Sequence, residues 1–509
     1  MVSQDKRRID DDDFEILVGQ ERMRICLVAA FPPSKRQLNE YSYHIARELQ
    51  RHKHVELVVL ADELTADDVV PDAETGDRLQ PQEMPGFNVI RCWKFGSLAT
   101  PVRLLNTIRR LKPDVVWFNL VFSSFGTPEN PFAAFAGLSV PALTRAAGFY
   151  THITLHHIIE HVDFANAGVR RERIYRMGTD VATWALLKAD SVSVLLSNYR
   201  RTLMRKYSAQ NILVGTHGTF TTISRPPDFA RRNNPDQRIL AFGHWGTYKR
   251  LETLMAAFPR VLEKCPHARL IVGGGNHPMA PGYLDSIREA QPKHLPIQFL
   301  GYVPSRDVPD LFRTSSILVM PYDSSTGSSG PAHQACEYGV PIVCADIPDF
   351  RCMAVDDDMA ISFYRIGDSS DLADRLITIL QSHDLQRQMS QHNYEAGVQM
   401  TMATVVRNYL RWFELHQCKR SLNETRPRRS RRWLRSWATR LSKSPADWTL
   451  DADLLPQQED VDATVEMMER SEGEEPVAAA TDSAASHKNP VKSPVRAGNS
   501  DHDGYADAG

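Results

Sequence analysis

The chain has 509 residues, 42% of them hydrophobic, and its 60 lysines and arginines nearly balance 62 aspartates and glutamates for a formal net charge of −2. That length holds roughly three domains, or two with tails, and the charge balance excludes a global attraction to nucleic acid. The seven cysteines form no Cys-x-x-Cys pair and sit mostly in apolar patterns, which predicts reduced core thiols in a cytosolic chain and excludes a disulfide scaffold.

Residues 1–21 are charged and lack the apolar run of a signal peptide, so a flexible N-terminus is expected. The most apolar candidate for a membrane span, between Val115 and Leu143, is broken by Glu129 and several prolines. From residue 22 onward, strand and helix patterns alternate. Strands are predicted at Ile25–Phe31, Val55–Leu60, Asn88–Trp93, Val115–Asn119, Ile153–His156 and Ser191–Leu196, and a helix at Glu40–Arg51, with further helical segments between. Such alternation predicts a parallel sheet with helices on both faces over residues 22–220. Arg225-Pro-Pro227 and Asn233-Asn-Pro235 mark residues 221–236 as a linker.

The pattern restarts over residues 237–400 with Ile239-Leu-Ala-Phe-Gly243, Leu270-Ile-Val-Gly-Gly-Gly275 and Ile317-Leu-Val-Met-Pro321. A loop, Ser324-Ser-Thr-Gly-Ser-Ser-Gly330, opens a helix at Pro331–Tyr338, and Gly339-Val-Pro-Ile-Val-Cys344 returns to the sheet. Glycines at the carboxyl ends of parallel strands let a ligand approach the backbone, and a helix N-terminus offers N–H groups to phosphate. With Lys249 just after the first of these strands, the pattern points to a phosphorylated ligand. Gly273-x-Gly275 lacks the third glycine of a dinucleotide fingerprint. A helix pair is predicted over Asp384–His416, including residues 401–418. Residues 419–509 are basic from Arg426 to Lys443, acidic from Asp451 to Glu475, and then rich in Ala, Ser and Asp. Low hydrophobicity and segregated charge predict disorder there. Trp433, Trp437 and Leu441 recur every four residues within the basic run, a pattern that suits peripheral contact with an anionic membrane through residues 426–443.

The segment Phe242-Gly-His-Trp-Gly-Thr-Tyr-Lys-Arg-Leu-Glu252, with Ile271-Val-Gly-Gly-Gly275, Phe299-Leu-Gly-Tyr-Val-Pro304 and Gly339-Val-Pro341, resembles the donor-binding half of the retaining GT-B glycosyltransferases of family 4. Arg24-Ile-Cys-Leu-Val-Ala-Ala-Phe-Pro-Pro33 and Thr154-Leu-His-His157 extend the resemblance more weakly to the first half, so that it spans about residues 22–416. It implies two Rossmann-like doubly wound domains facing a cleft, with the last helix, about Val405–Leu415, crossing back onto the first. It also implies transfer of a hexose from a nucleoside diphosphate sugar to an acceptor hydroxyl, with retention and without a metal or other cofactor. The acceptor would be a carbohydrate or a lipid-linked sugar in surface glycan or glycolipid synthesis, on the cytoplasmic side.

By the same resemblance, Lys249 contacts the departing diphosphate, His156 faces the reacting sugar, and Asn39 and His157 lie on the acceptor side. Gly243, Gly301, Tyr302, Gly327, Ser328 and Ser329 fall at donor-binding positions. Two departures stand out. The family's arginine before Lys249 is His244 or Trp245 here, and its two loop glutamates are Thr326 and Gln334. Thr326 and Gln334 can hydrogen-bond hydroxyls as neutral groups, and Glu337, one turn on, is placed to replace the carboxylate at the ribose. His156-His157-x-x-Glu160-His161 is not a zinc motif, and Asp356–Asp358 reads as a solvated loop. The alternatives to transfer are a GT-B sugar-nucleotide epimerase, which needs the same donor pocket without an acceptor, and a sugar-nucleotide-binding scaffold that lost turnover with its carboxylates.

Overall fold

A computed structural model describes residues 22–65, 84–127, 129–161, 172–220, 225–229, 236–277, 280–324 and 327–425. The expectations for residues 1–21, for Thr326 and for the tail beyond residue 425, including the basic run 426–443, lie outside the described residues.

Apolar runs rich in Val, Ile and Leu give seven strands in the first half: β1 (Met23–Val28), β2 (Val55–Asp62), β3 (Val89–Trp93), β4 (Val115–Leu120), β5 (Tyr150–Leu155), β6 (Ser191–Val194) and β7 (Ile212–Val214). Between them lie α1 (Asn39–Leu49), α2 (Thr100–Leu111), α3 (Phe132–Leu138), α4 (Val140–Ala146), α5 (Glu172–Leu186) and α6 (Ser197–Tyr207). The strands form one parallel sheet in the order β3-β2-β1-β4-β5-β6-β7. β4 is buried at every position, because helices cover both faces and leave no polar side for alternation.

The second half repeats the plan with β8 (Arg238–Phe242), β9 (Arg269–Gly273), β10 (Ile297–Gly301), β11 (Ile317–Met320), β12 (Ile342–Ala345) and β13 (Ile361–Tyr364). Their order, β10-β9-β8-β11-β12-β13, is parallel throughout. Its helices are α7 (Leu251–Lys264), α8 (Tyr283–Glu289), α9 (Val308–Arg313), α10 (Gly330–Glu337), α11 (Pro348–Asp356), α12 (Ser369–Gln381) and α13 (His383–Gln399), before a final α14 (Met402–Thr425). The fold is thus α/β with two doubly wound Rossmann-like units. In each, the strand order reverses beside the first strand, between β1 and β4 and between β8 and β11, which leaves a crevice at the carboxyl ends of the strands.

Helix α14 returns to the first sheet. Met402, Val405, Val406, Tyr409, Leu410 and Phe413 share a core with Ile25, Leu27, Trp117 and Tyr150, and Tyr409 donates to Ser193 Oγ at 2.8 Å. This packing explains why β5 begins at Tyr150, three residues before the strand read from the sequence. Thr151 and His152 look polar but are fully buried. His152 Nδ1 meets Ser191 Oγ at 2.7 Å and its ring packs on Tyr409 and Phe413. The sequence reading also left β7, β10 and β13 unnamed. All three are edge strands, and β10 is only partly buried along its length, so their apolar signal is weak. Among the described residues no helix is long and apolar enough to cross a membrane.

Candidate active site

Glycines bring the carboxyl ends of β8, β9 and β10 together. Gly243 follows β8 at φ +144° and its N–H donates to Gly273 O at 3.2 Å. Gly274 follows β9 at φ +101°, and its N–H donates to Gly301 O at 2.7 Å. A Cβ on Gly274 would stand 1.8 Å from Gly243 O, so these two turns touch only because neither carries a side chain. Trp245 locks the next turn. It is fully buried, with its backbone N–H on Gly275 O at 2.8 Å and its indole N–H on Gly273 O at 2.9 Å.

That anchoring aims the 3-10 turn Thr247–Lys249 back over Gly243. Lys249 Nζ lies 4.9 Å from the ring centre of Tyr322 and 5.9 Å from those of Trp245 and Tyr248. No described carboxylate pairs with it, and burial among the rings lowers its pKa to about 8. Arg250, its neighbour, has a left-handed backbone at φ +40° and is turned outward onto Asp323. His244 lines the same space, and burial, followed by the Lys249 charge, lowers its pKa. Among the described residues that line it, the site therefore holds one lysine and a histidine biased toward the neutral form.

A cavity of about 260 Å³ opens here, lined by Gly243, Lys249, Tyr302 and Gln334 from the second unit and by Glu40 and Phe220 from the first unit and its exit. Gly301 stands just behind Tyr302, with φ +67°. Glu40 was not singled out in the sequence. Its predicted neighbour Asn39 is used locally instead, with Nδ2 donating to Ser34 O at 2.5 Å and Oδ1 accepting from Glu40 N at 2.7 Å. Those bonds start α1 and leave Glu40 in the cleft, where burial raises its carboxyl above the usual range. Both bonds are local, five residues and one residue apart, so the turn before α1 by itself turns Asn39 away and leaves Glu40 to the cleft.

Several expected roles need correction. Gly327 and Ser329 do not present their N–H groups to the cavity. Gly327 N–H donates to Tyr199 Oη at 2.5 Å and lies 3.4 Å from Asp349 Oδ2, whereas Ser329 N–H approaches Met353 Sδ at 3.4 Å. Ser329 Oγ turns to Met320 Sδ at 3.1 Å, and Ser328 Oγ is buried without a partner among the described residues. Gly330, Pro331 and Gln334 of α10 line the cavity in their place. Glu337 is not among the residues that line it: its side chain is buried, with Oε2 accepting from Phe220 N at 3.3 Å.

His156 and His157 are not among the residues that line the cavity. His156 is 7% exposed, with Nε2 on Asn119 Oδ1 at 2.7 Å and its ring edge-on to Tyr41 at 4.5 Å. Burial first, then neighbouring His217 and His157, pushes its pKa well down. Burial likewise brings His157 to about 4. Asp356–Asp358 is solvated only in part: Asp356 and Asp358 are exposed, and Asp357 is turned inward. Asp357 pairs with buried His333 at 3.2 Å, and Asp356 accepts from Ser197 N at 2.6 Å. Among the described residues no group of three His, Cys, Asp or Glu side chains is placed to hold a metal ion.

The loop ahead of α10 is thus held from the first unit. Tyr199 is fully buried and donates to Asp349 Oδ2 at 2.5 Å while accepting from Gly327, and Asn198 Nδ2 donates to Asp349 Oδ1 at 2.9 Å. Burial and the adjacent Asp349 keep the phenol protonated. Tyr199→Phe keeps the ring but removes the hydroxyl between Gly327 and Asp349, leaving Gly327 N–H its longer 3.4 Å contact with Asp349 Oδ2. It is expected to cost about 1–3 kcal/mol of stability, read as a lowered midpoint in chemical denaturation. An unchanged midpoint would remove this relay from the account.

Residues 236–382 match the family model described as Glycosyl transferases group 1. No curated protein sequence matches the chain significantly. Among solved structures, the chain is similar to Anabaena HepE in complex with UDP and glucose, at 15% identity and TM-score 0.55, over 77% of this chain and 99% of that one. It is similar to the sucrose-phosphate synthase of Thermosynechococcus elongatus at 16% identity and TM-score 0.57, over 79% and 100%. The N-terminal domain of trehalose-6-phosphate phosphatase from Candida albicans aligns at 12% identity and TM-score 0.55, over 78% and 97%. At these identities the structural likeness establishes the two-unit fold.

Proposed function

We propose that the chain, whose residues 236–382 match the family model of group 1 glycosyl transferases, transfers a hexose from a nucleoside diphosphate sugar to an acceptor hydroxyl, with retention at the anomeric carbon. The observation that carries this reading is Lys249, a lysine with no described carboxylate partner, held over Gly243 at the switch point of a parallel sheet. A cation fixed in a partly water-excluded cleft stabilises the charge that builds on a departing diphosphate, and it is worth more there than in water. Gly243 and Gly274 let the diphosphate approach the backbone. Gln334, one turn into α10, donates or accepts at a hydroxyl of the donor. Glu40, reaching in from the first unit, supplies an acceptor oxygen to a sugar hydroxyl at the position where the loop has no carboxylate of its own. The acceptor is a surface carbohydrate or a lipid-linked sugar.

The structure of Anabaena HepE contains UDP and glucose, which makes UDP-sugars the first donors to try. A thermal-shift screen across UDP-, GDP- and ADP-sugars should raise the melting temperature with one nucleotide class, since a ligand of the native state stabilises it by mass action. With that donor, Gln334→Ala should weaken binding by about 1–2 kcal/mol, measured by titration calorimetry. Transfer to an added acceptor separates a transferase from an epimerase, which would invert the sugar without one. No shift with any donor would favour a chain that keeps the fold as a scaffold, a reading to which the neutral Gln334 and the internally bonded Gly327 and Ser329 lend weight.

A further inference from the structure

Helices α2 to α5 form one layer on the first sheet: α2 packs on α3 and α4, and α5 packs on both. Their inner side chains, among them Leu104, Leu138, Val140, Ala182 and Leu186, enter the main core. The outer surface is unusually apolar. Phe132 is 73% exposed, Met177 71%, Val181 67% and Trp184 56%, and Val102 on α2 is similarly open. Met177, Val181 and Trp184 are spaced i, i+4, i+7 and share one face of α5. That face is opposite Ala182 and Leu186, so from Met177 onward α5 is apolar on both sides, a pattern that calls for a cover on the outside.

The charge around this layer tells what kind of cover fits. Residues 100–112, 132–147 and 172–188 carry eight lysines and arginines against two acids, in a chain whose formal net charge is −2. Arg109 and Arg110 are exposed at the end of α2 with no acid in that helix. Lys188 Nζ stands 4.4 Å from the ring centre of Trp184, so the aromatic anchor carries a cation at its rim. Arg103 and Arg145 are paired with Glu63 and Asp190, so the cations this layer offers include Lys188 beside Trp184 and the exposed Arg109 and Arg110 of α2. Apolar side chains with an exposed tryptophan and such cations in the same layer suit an anionic bilayer surface. We propose that the outer face of α2–α5 docks on a membrane rich in anionic lipid. None of these residues belongs to the basic run 426–443, and the proposal does not depend on the chain being a transferase.

The test uses the full chain and vesicles of phosphatidylcholine with and without phosphatidylglycerol. The parent protein should co-sediment with the anionic vesicles, less so in high salt and little with neutral ones. Met177→Ser/Val181→Ser/Trp184→Ser should lower the partition coefficient by about tenfold or more, and Arg109→Glu/Arg110→Glu by a similar factor that vanishes in high salt. All five side chains are exposed, so an unchanged melting temperature is expected and shows that the variants are folded. Equal sedimentation of parent and triple variant would overturn the proposal and leave any binding to the tail. Absence of parent binding would overturn it too. So would a parent that is dimeric in sedimentation velocity and a triple variant that is monomeric, because the face would then be a contact between copies of this chain.

Discussion

Lys249→Ala lowers turnover about a hundredfold or more, as expected for removing a preorganised charge worth a few kcal/mol in the transition state. The variant keeps its melting temperature or gains on it. Folding costs free energy to place this ammonium among Tyr322, Trp245 and Tyr248 without a described carboxylate, and that cost goes with the side chain. A merely structural lysine would show the opposite pattern, with stability lost and turnover kept. The pKa of about 8 adds a pH signature. A lysine depressed in the native state releases its proton earlier than in the unfolded chain. Its cost is therefore complete below about pH 8 and is relieved as pH rises from there toward the ordinary lysine value of 10.5. Binding runs the other way. A diphosphate favours the ammonium, so nucleotide affinity should fall as pH rises above about 8 in the parent, and calorimetry near pH 8 in buffers of different ionisation enthalpy should show proton uptake. In Lys249→Ala both effects should be gone. An affinity that stays flat through this range in the parent would place the diphosphate elsewhere.

Gly274→Ala has the largest expected effect on the site's architecture. Its Cβ would meet Gly243 O at 1.8 Å, and the backbone sits at φ +101°, where a side chain is strained in any case. Neither atom can yield cheaply, since Gly243 O is backbone and Gly274 N–H is tied to Gly301 O. Loss of more than about 3 kcal/mol is expected, read by denaturation, together with loss of nucleotide binding. Gly275→Ala is the control, because a Cβ there meets nothing within 4 Å. Equal stability of the two variants would mean that the β8 and β9 turns do not touch.

The sequence by itself determined the parallel α/β plan, most of the central strands, and four groups that meet at the cavity: Gly243, Lys249, Tyr302 and Gln334. These were legible because their causes are local. Continuous apolar runs need burial on both faces, glycines after a strand permit a close turn, and spacing along one helix fixes which side chain follows which. Thr151 and His152 became strand core only when α14 brought Tyr409 and Phe413 across the sheet. The loop before α10 carries the small polar residues of a phosphate cradle, yet Tyr199, 128 residues away in sequence, takes the Gly327 N–H, and sulfur atoms of Met353 and Met320 take Ser329. Glu337 bonds Phe220 N, and the cleft carboxylate is Glu40 rather than a residue of the loop. Only the tertiary structure decided these points. A backbone donor or a buried carboxylate must be satisfied by whichever partner the folded chain delivers, and that partner is set by packing between distant elements, which leaves no mark on the neighbouring residues.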